Sequence, residues 1–194
     1  YASSKGLGES SVMKNFPDAV ILRPSIVFGF EDKFFNRFAS MARLSPILPI
    51  VGGNTKFQPV YVDDVARAAF LGIDNDVQAG IYELGGPEVA SFNELMRRML
   101  KIILRRRLIV NLPFWIASLM GTGFDLGKAI SLGIIRGPIT LDQVLNLKND
   151  NVVSREEKTF KDLGIEPKAL EIILSEYLWK YRPAGEFSDP EKQN

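Results

Sequence analysis

The amino-acid sequence predicts an α/β fold in which helices cover a parallel sheet. Residues 19–24 form a continuous apolar run of strand length, and a run that is apolar on both faces is typical of a central parallel strand with helices on both sides. Segments with helical spacing and short strand-like runs then alternate along the chain, as in α/β proteins. With 194 residues, 46% hydrophobic and 24% charged, the chain can bury a sizeable core.

The first 73 residues alternate helices with strands. Pro17 and Asp18 end the first helix, and a Gly-Gly turn at 52–53 separates two strand-like runs. The predicted helices are 1–16, 33–44 and 63–73, and the predicted strands are 19–24 and two short runs within 47–62.

Further strands and helices follow in the second part of the chain. Ser91 and Glu94 have the spacing of a capping box, which predicts a helix from there through Leu104. The chain is polar from Arg182 onward, which predicts a mobile tail. The predicted strands are 80–86 and 107–112, and the predicted helices are 91–104, an apolar stretch from 113, one from about 140, and 167–179.

The composition excludes several classes of function. A net charge of +1 argues against nucleic acid as a partner, because neutralising a phosphate backbone takes a surplus of cations. The chain contains neither His nor Cys, so a Ser-His-Asp triad, a thiolate nucleophile and an imidazole metal ligand are excluded. Asp63 and Asp64 open a helix, where the helix dipole favours acids, and no metal site is predicted.

Two surface features have two interpretations each. Six cations fall within 97–107, either as a solvated helix end or as a patch for acidic lipid headgroups or an acidic partner. Residues 108–124 are an uncharged, mostly apolar stretch of 17 residues, too short for a membrane-spanning helix of about 20. This stretch is either a buried helix of a small domain or a helix that lies on a membrane or a large membrane complex.

Tyr1 and Lys5 are the sharpest candidate for chemistry. Residues four apart share one face of a helix, so the phenol and the ammonium can meet. A nearby ammonium lowers the pKa of a phenol toward the range where acid–base catalysis is efficient. The alternative is an ordinary surface helix, since a Tyr and a Lys at this spacing are common.

Four blocks of sequence together resemble the extended short-chain dehydrogenase/reductase family, which includes NAD-dependent epimerases and dehydratases. They are Tyr1-Ala-Ser-Ser-Lys5, Leu22-Arg23-Pro24-Ser25-Ile26-Val27-Phe28-Gly29, Val60-Tyr61-Val62-Asp63-Asp64-Val65-Ala66 and Tyr82-Glu83-Leu84-Gly85-Gly86-Pro87-Glu88. The resemblance covers about residues 1–110 well. It implies the C-terminal part of a Rossmann-like parallel sheet in 1–73, a smaller mixed α/β substrate or partner domain in 74–182, and a mobile tail in 183–194.

The resemblance also implies roles for individual residues. Tyr1 would be the general acid/base. Lys5 would bind the nicotinamide ribose and lower the pKa of Tyr1. Pro24, Ser25, Ile26 and Val27 would line the nicotinamide end of an NAD or NADP cofactor held by the intact parent protein, a parent of oxidoreductase or epimerase type.

Some features of the family are missing from this sequence. Neither the glycine-rich phosphate loop nor the Ser/Thr that the family places upstream of its Tyr is present, so we expect the chain to start part-way through the fold and to be inactive on its own. Phe57 stands where members acting on nucleotide-sugars often have a phosphate-binding Arg, and Tyr61 stands where His is common. A nucleotide-sugar substrate is therefore not expected.

Further motifs resemble one branch of the family, which is allied to the accessory NADPH-binding subunit of respiratory complex I and its bacterial relatives. They are Phe35-Asn36-Arg37-Phe38, Leu44-Ser45-Pro46, Phe57-Gln58-Pro59-Val60-Tyr61-Val62, Asp150-Asn151-Val152-Val153 and Tyr177-Leu178-Trp179-Lys180-Tyr181-Arg182-Pro183. This branch implies a non-catalytic accessory or assembly role as the alternative to an enzyme. It also implies association with complex I and a location in the bacterial cytoplasm or the mitochondrial matrix, at the periphery of the inner membrane. Contact with a membrane surface through 105–135, expected from the basic run and the apolar stretch, agrees with this branch.

Overall fold

The computed structural model describes residues 2–74, 77–116, 147–154 and 156–188. The helices within these ranges are α1 (Ala2–Asn15), α2 (Phe35–Leu44), α3 (Val62–Ile73), α4 (Phe92–Ile102) and α5 (Leu170–Leu178). The strands are β1 (Val20–Pro24), β2 (Val27–Phe28), β3 (Ile47–Val51), β4 (Lys56–Phe57), β5 (Val60–Tyr61), β6 (Gly80–Leu84), β7 (Ala90–Ser91) and β8 (Leu108–Leu112). Short 3-10 turns lie at Phe160–Leu163, Trp179–Tyr181 and Gly185–Phe187.

The strands pair two by two, mostly in parallel, which confirms the predicted α/β class. β1 pairs with β6, β2 with β5 and β3 with β8 in parallel, whereas β4 and β7 are antiparallel. β6, β7 and β8 follow the predicted domain boundary at residue 73, so the two predicted units share three strand pairs, β1–β6, β3–β8 and β4–β7. The division into domains itself stays a prediction.

Strand β1 is less buried than the sequence predicts. Residues 20–23 are half-buried and Pro24 is exposed. Helix α3 packs on one face of the strand, where Gly72 lies against Val20. On α1, by contrast, Leu7 and Val12 are exposed, so these two side chains give β1 no apolar cover.

Two main hydrophobic cores hold the described elements together. The larger one joins α2, α4 and α5 around a group of aromatic rings, in which Phe34 contacts Phe35, Phe38, Phe57 and Phe92 with ring centroids 5.0–6.2 Å apart. Edge-to-face and tilted ring pairs of this kind add to the stabilisation that burial of the rings provides. The smaller core lies between α3, β6 and the first 3-10 turn, and it packs β1 against them.

The capping box predicted at the start of α4 is confirmed. The Glu94 carboxylate accepts a hydrogen bond from the Ser91 amide at 2.7 Å, and the Ser91 hydroxyl accepts one from the Glu94 amide at 3.3 Å. Two backbone donors that the helix leaves unpaired are thereby satisfied.

The last helix begins later than predicted. The predicted start is residue 167, whereas α5 begins at Leu170. A long-range contact holds the segment before the helix, since the Lys168 amide donates to the buried carboxylate of Asp64 at 2.8 Å, and Ala169 is still extended.

Several predictions fall wholly or partly outside the described residues. The predicted helix from about 140 does so wholly, and only residues 114–116 of the predicted helix from 113 are described, as a helical turn. At the C-terminal end, part of the tail predicted to be mobile forms the turn Gly185–Phe187. No helix in the described ranges has both the length and the apolar character needed to cross a bilayer.

Candidate functional site at the end of the first strand

The candidate site lies where residues 24–27 link β1 to β2, and we call this link the 24–27 edge. The Ser25 amide donates to the Leu84 carbonyl at 2.9 Å, and the Ile26 carbonyl accepts from the Val60 amide at 2.9 Å. The edge therefore bridges the pairs β1–β6 and β2–β5 at the carboxyl end of β1. Ligands of α/β proteins bind beyond the carboxyl ends of parallel strands.

The side chains of the 24–27 edge are largely engaged with the protein itself. Ile26 packs against the larger core and Val27 against the smaller one, and Pro24 is exposed. The Ser25 hydroxyl donates to the Asn151 carbonyl at 2.8 Å. The edge thus presents an apolar ring and main-chain atoms to a ligand, with its hydroxyl already bonded.

Gln58 closes the space beside the edge. Its side-chain amide donates to the Gly86 carbonyl at 2.8 Å, and its side-chain oxygen accepts from the Val153 amide at 3.0 Å. The neighbouring backbone is so close that a Cβ on Gly86 would overlap the carbonyl oxygen of Pro59. Glycine is therefore needed at this position to let two chain segments pack together.

Phe57 is a packing residue of the larger core. Its ring is buried among aromatic side chains, against Phe34 and Phe92. A ring in this position cannot replace the guanidinium that holds phosphate in nucleotide-sugar enzymes. The expectation that nucleotide-sugars are not substrates stays a prediction.

Arg23 forms ion pairs with three carboxylates at the end of β1. Its guanidinium lies 2.6 Å from Glu9 of α1, 3.4 Å from Glu83 of β6 and 3.5 Å from Glu157. Glu83 also accepts a hydrogen bond from the Ser154 amide at 2.6 Å. The Arg23 guanidinium therefore connects α1, β6 and Glu157 beside the candidate site.

These contacts shift the pKa values of the charged groups. The hydrogen bond from Arg23 lowers the pKa of Glu9 below its ordinary value, and the charge of Lys5 lowers it further. The hydrogen bond to Glu9 raises the pKa of Arg23. Both groups thus stay ionised near neutral pH, and neither is suited to exchange protons there.

The predicted catalytic pair is described only in part. Tyr1 lies outside the described residues, and Lys5 is exposed on α1. Lys5 shares a helix face with Glu9, which is bonded to Arg23. The structure thus connects the face of α1 that carries Lys5 to the 24–27 edge, through one ion pair.

Asp64 has a role in packing. It is fully buried, and one carboxylate oxygen accepts from the Lys168 amide. The other oxygen lies 3.7 Å from the Arg67 guanidinium and receives no hydrogen bond from the described residues. Asp64 therefore joins the start of α3 to the segment before α5.

A separate cavity lies at the carboxyl ends of β3 and β8. Its volume is about 540 Å³, and its polar lining includes Asn54, Asn111, Lys148 and Asp150. None of the residues predicted as site residues lines it.

Sequence reasoning missed the carboxylates around Arg23 and the bonds of Gln58. A charged residue in an otherwise apolar strand was a signal, and strand pairing sets Arg23 opposite Glu83. Nothing in the sequence placed Glu157, which is 134 residues from Arg23. Such partners become visible only when the strands are paired.

Comparison with known proteins gives relatives along nearly the whole chain. No protein-family model matches the chain. The chain is 36% identical over 187 residues to "NADH dehydrogenase [ubiquinone] 1 alpha subcomplex subunit 9, mitochondrial" of Arabidopsis thaliana, which covers 94% of this chain and 46% of that protein. It is 33% identical over 191 residues to the "NADH-ubiquinone oxidoreductase 40 kDa subunit, mitochondrial" of Neurospora crassa, which covers 98% and 48%. The chain thus spans about half the length of these curated relatives.

Solved structures share the fold at lower identity. UDP-glucose 4-epimerase of Thermus thermophilus, in complex with NAD, matches with a TM-score of 0.57 at 17% identity, over 92% of this chain and 51% of that one. UDP-glucose 4-epimerase of Thermotoga maritima matches with a TM-score of 0.58 at 19% identity, over 91% and 50%. These matches confirm the predicted Rossmann-like fold.

Proposed function

Because the chain belongs to the extended short-chain dehydrogenase/reductase family, in the group of the NADH dehydrogenase alpha subcomplex subunit 9 proteins, we propose that the protein binds a nicotinamide dinucleotide and serves as an accessory subunit of respiratory NADH:ubiquinone oxidoreductase. The observation that carries this proposal is the 36% identity over 94% of the chain with a relative of that name. The NAD bound to the Thermus thermophilus epimerase supports the cofactor class. The proposal covers both NAD and NADP as the dinucleotide.

The 24–27 edge fits the nicotinamide end of such a cofactor. Pro24 is exposed at the end of a parallel strand, which suits contact with a planar ring, and the main-chain groups of residues 25–27 lie beside it. Ser25, Ile26 and Val27 would contribute mainly through their backbone, because their side chains are bonded or packed elsewhere. When bound, the dinucleotide would supply a hydride-carrying ring.

The contacts around the edge favour binding over turnover. The Ser25 hydroxyl is bonded to a main-chain carbonyl, and Arg23 is paired with carboxylates. Proton transfer to a substrate would therefore depend on Tyr1, with Lys5 as its neighbour. A structural role for the dinucleotide needs no such proton transfer.

The second candidate function is catalytic, as an oxidoreductase or epimerase. It is favoured by the spacing of Tyr1 and Lys5 and by the ion pair that links α1 to the 24–27 edge. The substitution Tyr1→Phe in the intact protein separates the two functions. An enzyme would lose turnover because the phenol is its acid/base, whereas a binding subunit would keep its dinucleotide and its assembly into the complex.

Dinucleotide binding is tested with two matched lysine variants of the intact protein. Lys5 and Lys14 are both exposed on α1, so Lys5→Met and Lys14→Met remove the same charge from the same helix. We expect Lys5→Met to weaken NADPH or NADH binding by about tenfold or more, because a hydrogen bond from a charged group contributes about 1.5–3 kcal/mol. Lys14→Met should bind as the unaltered protein does. Equal affinities for the two variants would refute the role of Lys5, and no binding by the unaltered intact protein would refute the cofactor.

We propose the mitochondrial matrix as the location, or the cytoplasm for a bacterial protein. The named relatives are mitochondrial subunits. Contact with the inner membrane through residues 105–135 is also a proposal, and only residues 105–116 of that segment are described.

A further inference from the structure

Three helices end at one place on the surface, and an arginine caps each end. Each arginine donates its Nε–H to a main-chain carbonyl in the last turn of a helix, where carbonyl groups lack partners. The three bonds run from Arg107 to Ala42 at the end of α2, from Arg182 to Ile102 at the end of α4, and from Arg105 to Tyr181 in the turn after α5, at 2.6, 2.9 and 2.7 Å.

Positive charge is concentrated around these helix ends. The segments 40–48, 101–110 and 178–184 together hold seven Lys or Arg and no Asp or Glu. Since the net charge of the whole chain is +1, the remaining residues carry a net charge of −6. Burial and the nearby charges of Arg107 and Arg43 lower the pKa of Arg105.

Aliphatic side chains are exposed in the same segments. Leu44, the last residue of α2, is 80% exposed, and Ile47 and Leu108 are 45% and 64% exposed. Ile47 and Leu108 stand opposite each other at the start of the parallel pair β3–β8. We call this surface the arginine rim, and it consists of Arg43, Leu44, Ile47, Arg105, Arg106, Arg107, Leu108 and Arg182.

The shape of the arginine rim argues for a flat partner. The cavity lined by Asn54, Asn111, Lys148 and Asp150 lies at the far ends of β3 and β8, about 16 Å along the strands from the rim at about 3.3 Å per residue. The rim itself is formed by helix ends and strand starts. Cations beside protruding aliphatic side chains are the features that hold a protein on an anionic bilayer.

We propose that the arginine rim docks on the surface of an anionic lipid bilayer. The arginines would contact lipid phosphates through the guanidinium nitrogens that do not cap helices, while Leu44, Ile47 and Leu108 enter the headgroup layer. This inference rests on the proposed location beside the inner membrane, and it assigns the contact to the ends of α2 and α4 and the start of β3–β8. Leu108 and the arginines before it are the part of the 105–135 segment that takes part.

Vesicle binding of the full chain tests this proposal. Vesicles of phosphatidylcholine alone are compared with vesicles that also contain phosphatidylglycerol. The double variant Arg43→Gln/Arg106→Gln removes two exposed cations of the rim and spares the three helix-capping arginines. We expect binding to the anionic vesicles to weaken about thirtyfold, since each Lys or Arg near such a surface contributes about a fivefold gain in affinity.

A matched control removes the same charge elsewhere. Arg97 and Lys161 are exposed outside the rim, and Arg97→Gln/Lys161→Gln should bind as the unaltered chain does. Leu44→Asn/Leu108→Asn should weaken vesicle binding without changing the net charge. Circular dichroism and thermal unfolding confirm that each variant is folded before binding is compared.

Three results would overturn the proposal. They are equal losses in the rim and control variants, equal binding to vesicles with and without phosphatidylglycerol, and binding of soluble polyglutamate without binding of vesicles, which would assign the rim to an acidic protein. Dinucleotide binding by the intact protein is measured separately. A loss of vesicle binding by the arginine rim can therefore be told apart from a lack of dinucleotide binding, which tests the proposed function.

Discussion

Substitution of Asp64 tests whether this buried residue acts as a packing residue. Its carboxylate is fully buried and accepts a hydrogen bond from the Lys168 amide at 2.8 Å. Asp64→Ala leaves that amide without a partner, whereas Asp64→Asn keeps an oxygen that can accept the same bond. The two variants therefore differ mainly in this one interaction.

The expected magnitude follows from the hydrogen bond. A buried amide that loses its acceptor costs about 1–3 kcal/mol, so Asp64→Ala should lower the free energy of unfolding by about 2 kcal/mol. For a chain of this size, that corresponds to a fall of about 4–8 °C in Tm. Asp64→Asn should stay within about 1 kcal/mol of the unaltered chain, because the other oxygen receives no hydrogen bond from the described residues and the ion pair to the exposed Arg67 is long.

Urea unfolding followed by circular dichroism measures both variants. Arg67→Gln is the control for the ion pair, and its effect should lie within about 0.5 kcal/mol, as is usual for an exposed residue. Equal stabilities of Asp64→Ala and Asp64→Asn would refute the account of Asp64 as the acceptor that positions the segment before α5. A large effect of Arg67→Gln would assign the stabilisation to the ion pair instead.

Three more substitutions have expected outcomes. Gly86→Ala should lower the free energy of unfolding in urea by about 3 kcal/mol, because the new methyl group overlaps the carbonyl of Pro59. An effect below about 1 kcal/mol would contradict this close packing. The capping box lowers the pKa of Glu94 below its usual 4.5, so the free energy of unfolding should fall as the pH drops below that value. Glu94→Gln should flatten this part of the pH profile. The same acid slope in Glu94→Gln would refute the contribution of the Glu94 carboxylate. Burial and the bond to Asp32 raise the pKa of Tyr177 above its usual 10.0. Tyr177→Phe should therefore reduce the loss of stability above about pH 10, while it lowers the free energy of unfolding by about 1 kcal/mol at neutral pH. An unchanged stability profile above about pH 10 would count against this contact.

The order and type of the secondary structure could be predicted because they depend on local pattern. The predicted helices at 33–44, 63–73 and 91–104 correspond to α2, α3 and α4 within two residues at each end. Capping, prolines and the spacing of apolar residues act over a few residues and are visible in the sequence. The same holds for the strand β8 and for the parallel pairing of β1, which its continuous apolar run indicated.

Features that depend on distant residues could not be predicted. The segment before α5 is held by Asp64, which is 104 residues away from Lys168. The half-buried state of β1 depends on which faces α1 and α3 turn toward it, and the sequence pattern of β1 does not carry this information.

The candidate site divides in the same way. The 24–27 edge followed from motif and strand position, whereas the engagement of Ser25 by Asn151 needed the pairing of segments 126 residues apart. The basic run at 97–107 also has contacts that the sequence could not predict. Sequence spacing left two interpretations open, a solvated helix end or a patch for acidic lipid headgroups or an acidic partner. It did not show that Arg105 and Arg107 donate to carbonyls of two other elements.

Migration of the protein in a gentle membrane extract tests most directly whether it is an accessory subunit of respiratory NADH:ubiquinone oxidoreductase, as proposed above. The tagged intact protein would be expressed in its own cells, extracted in mild detergent and separated on a native gel stained for NADH dehydrogenase activity. We predict that the tag migrates with the active complex and that Tyr1→Phe does not change its position. A tag that migrates as a small free protein, with the stained complex complete in its absence, would contradict the account.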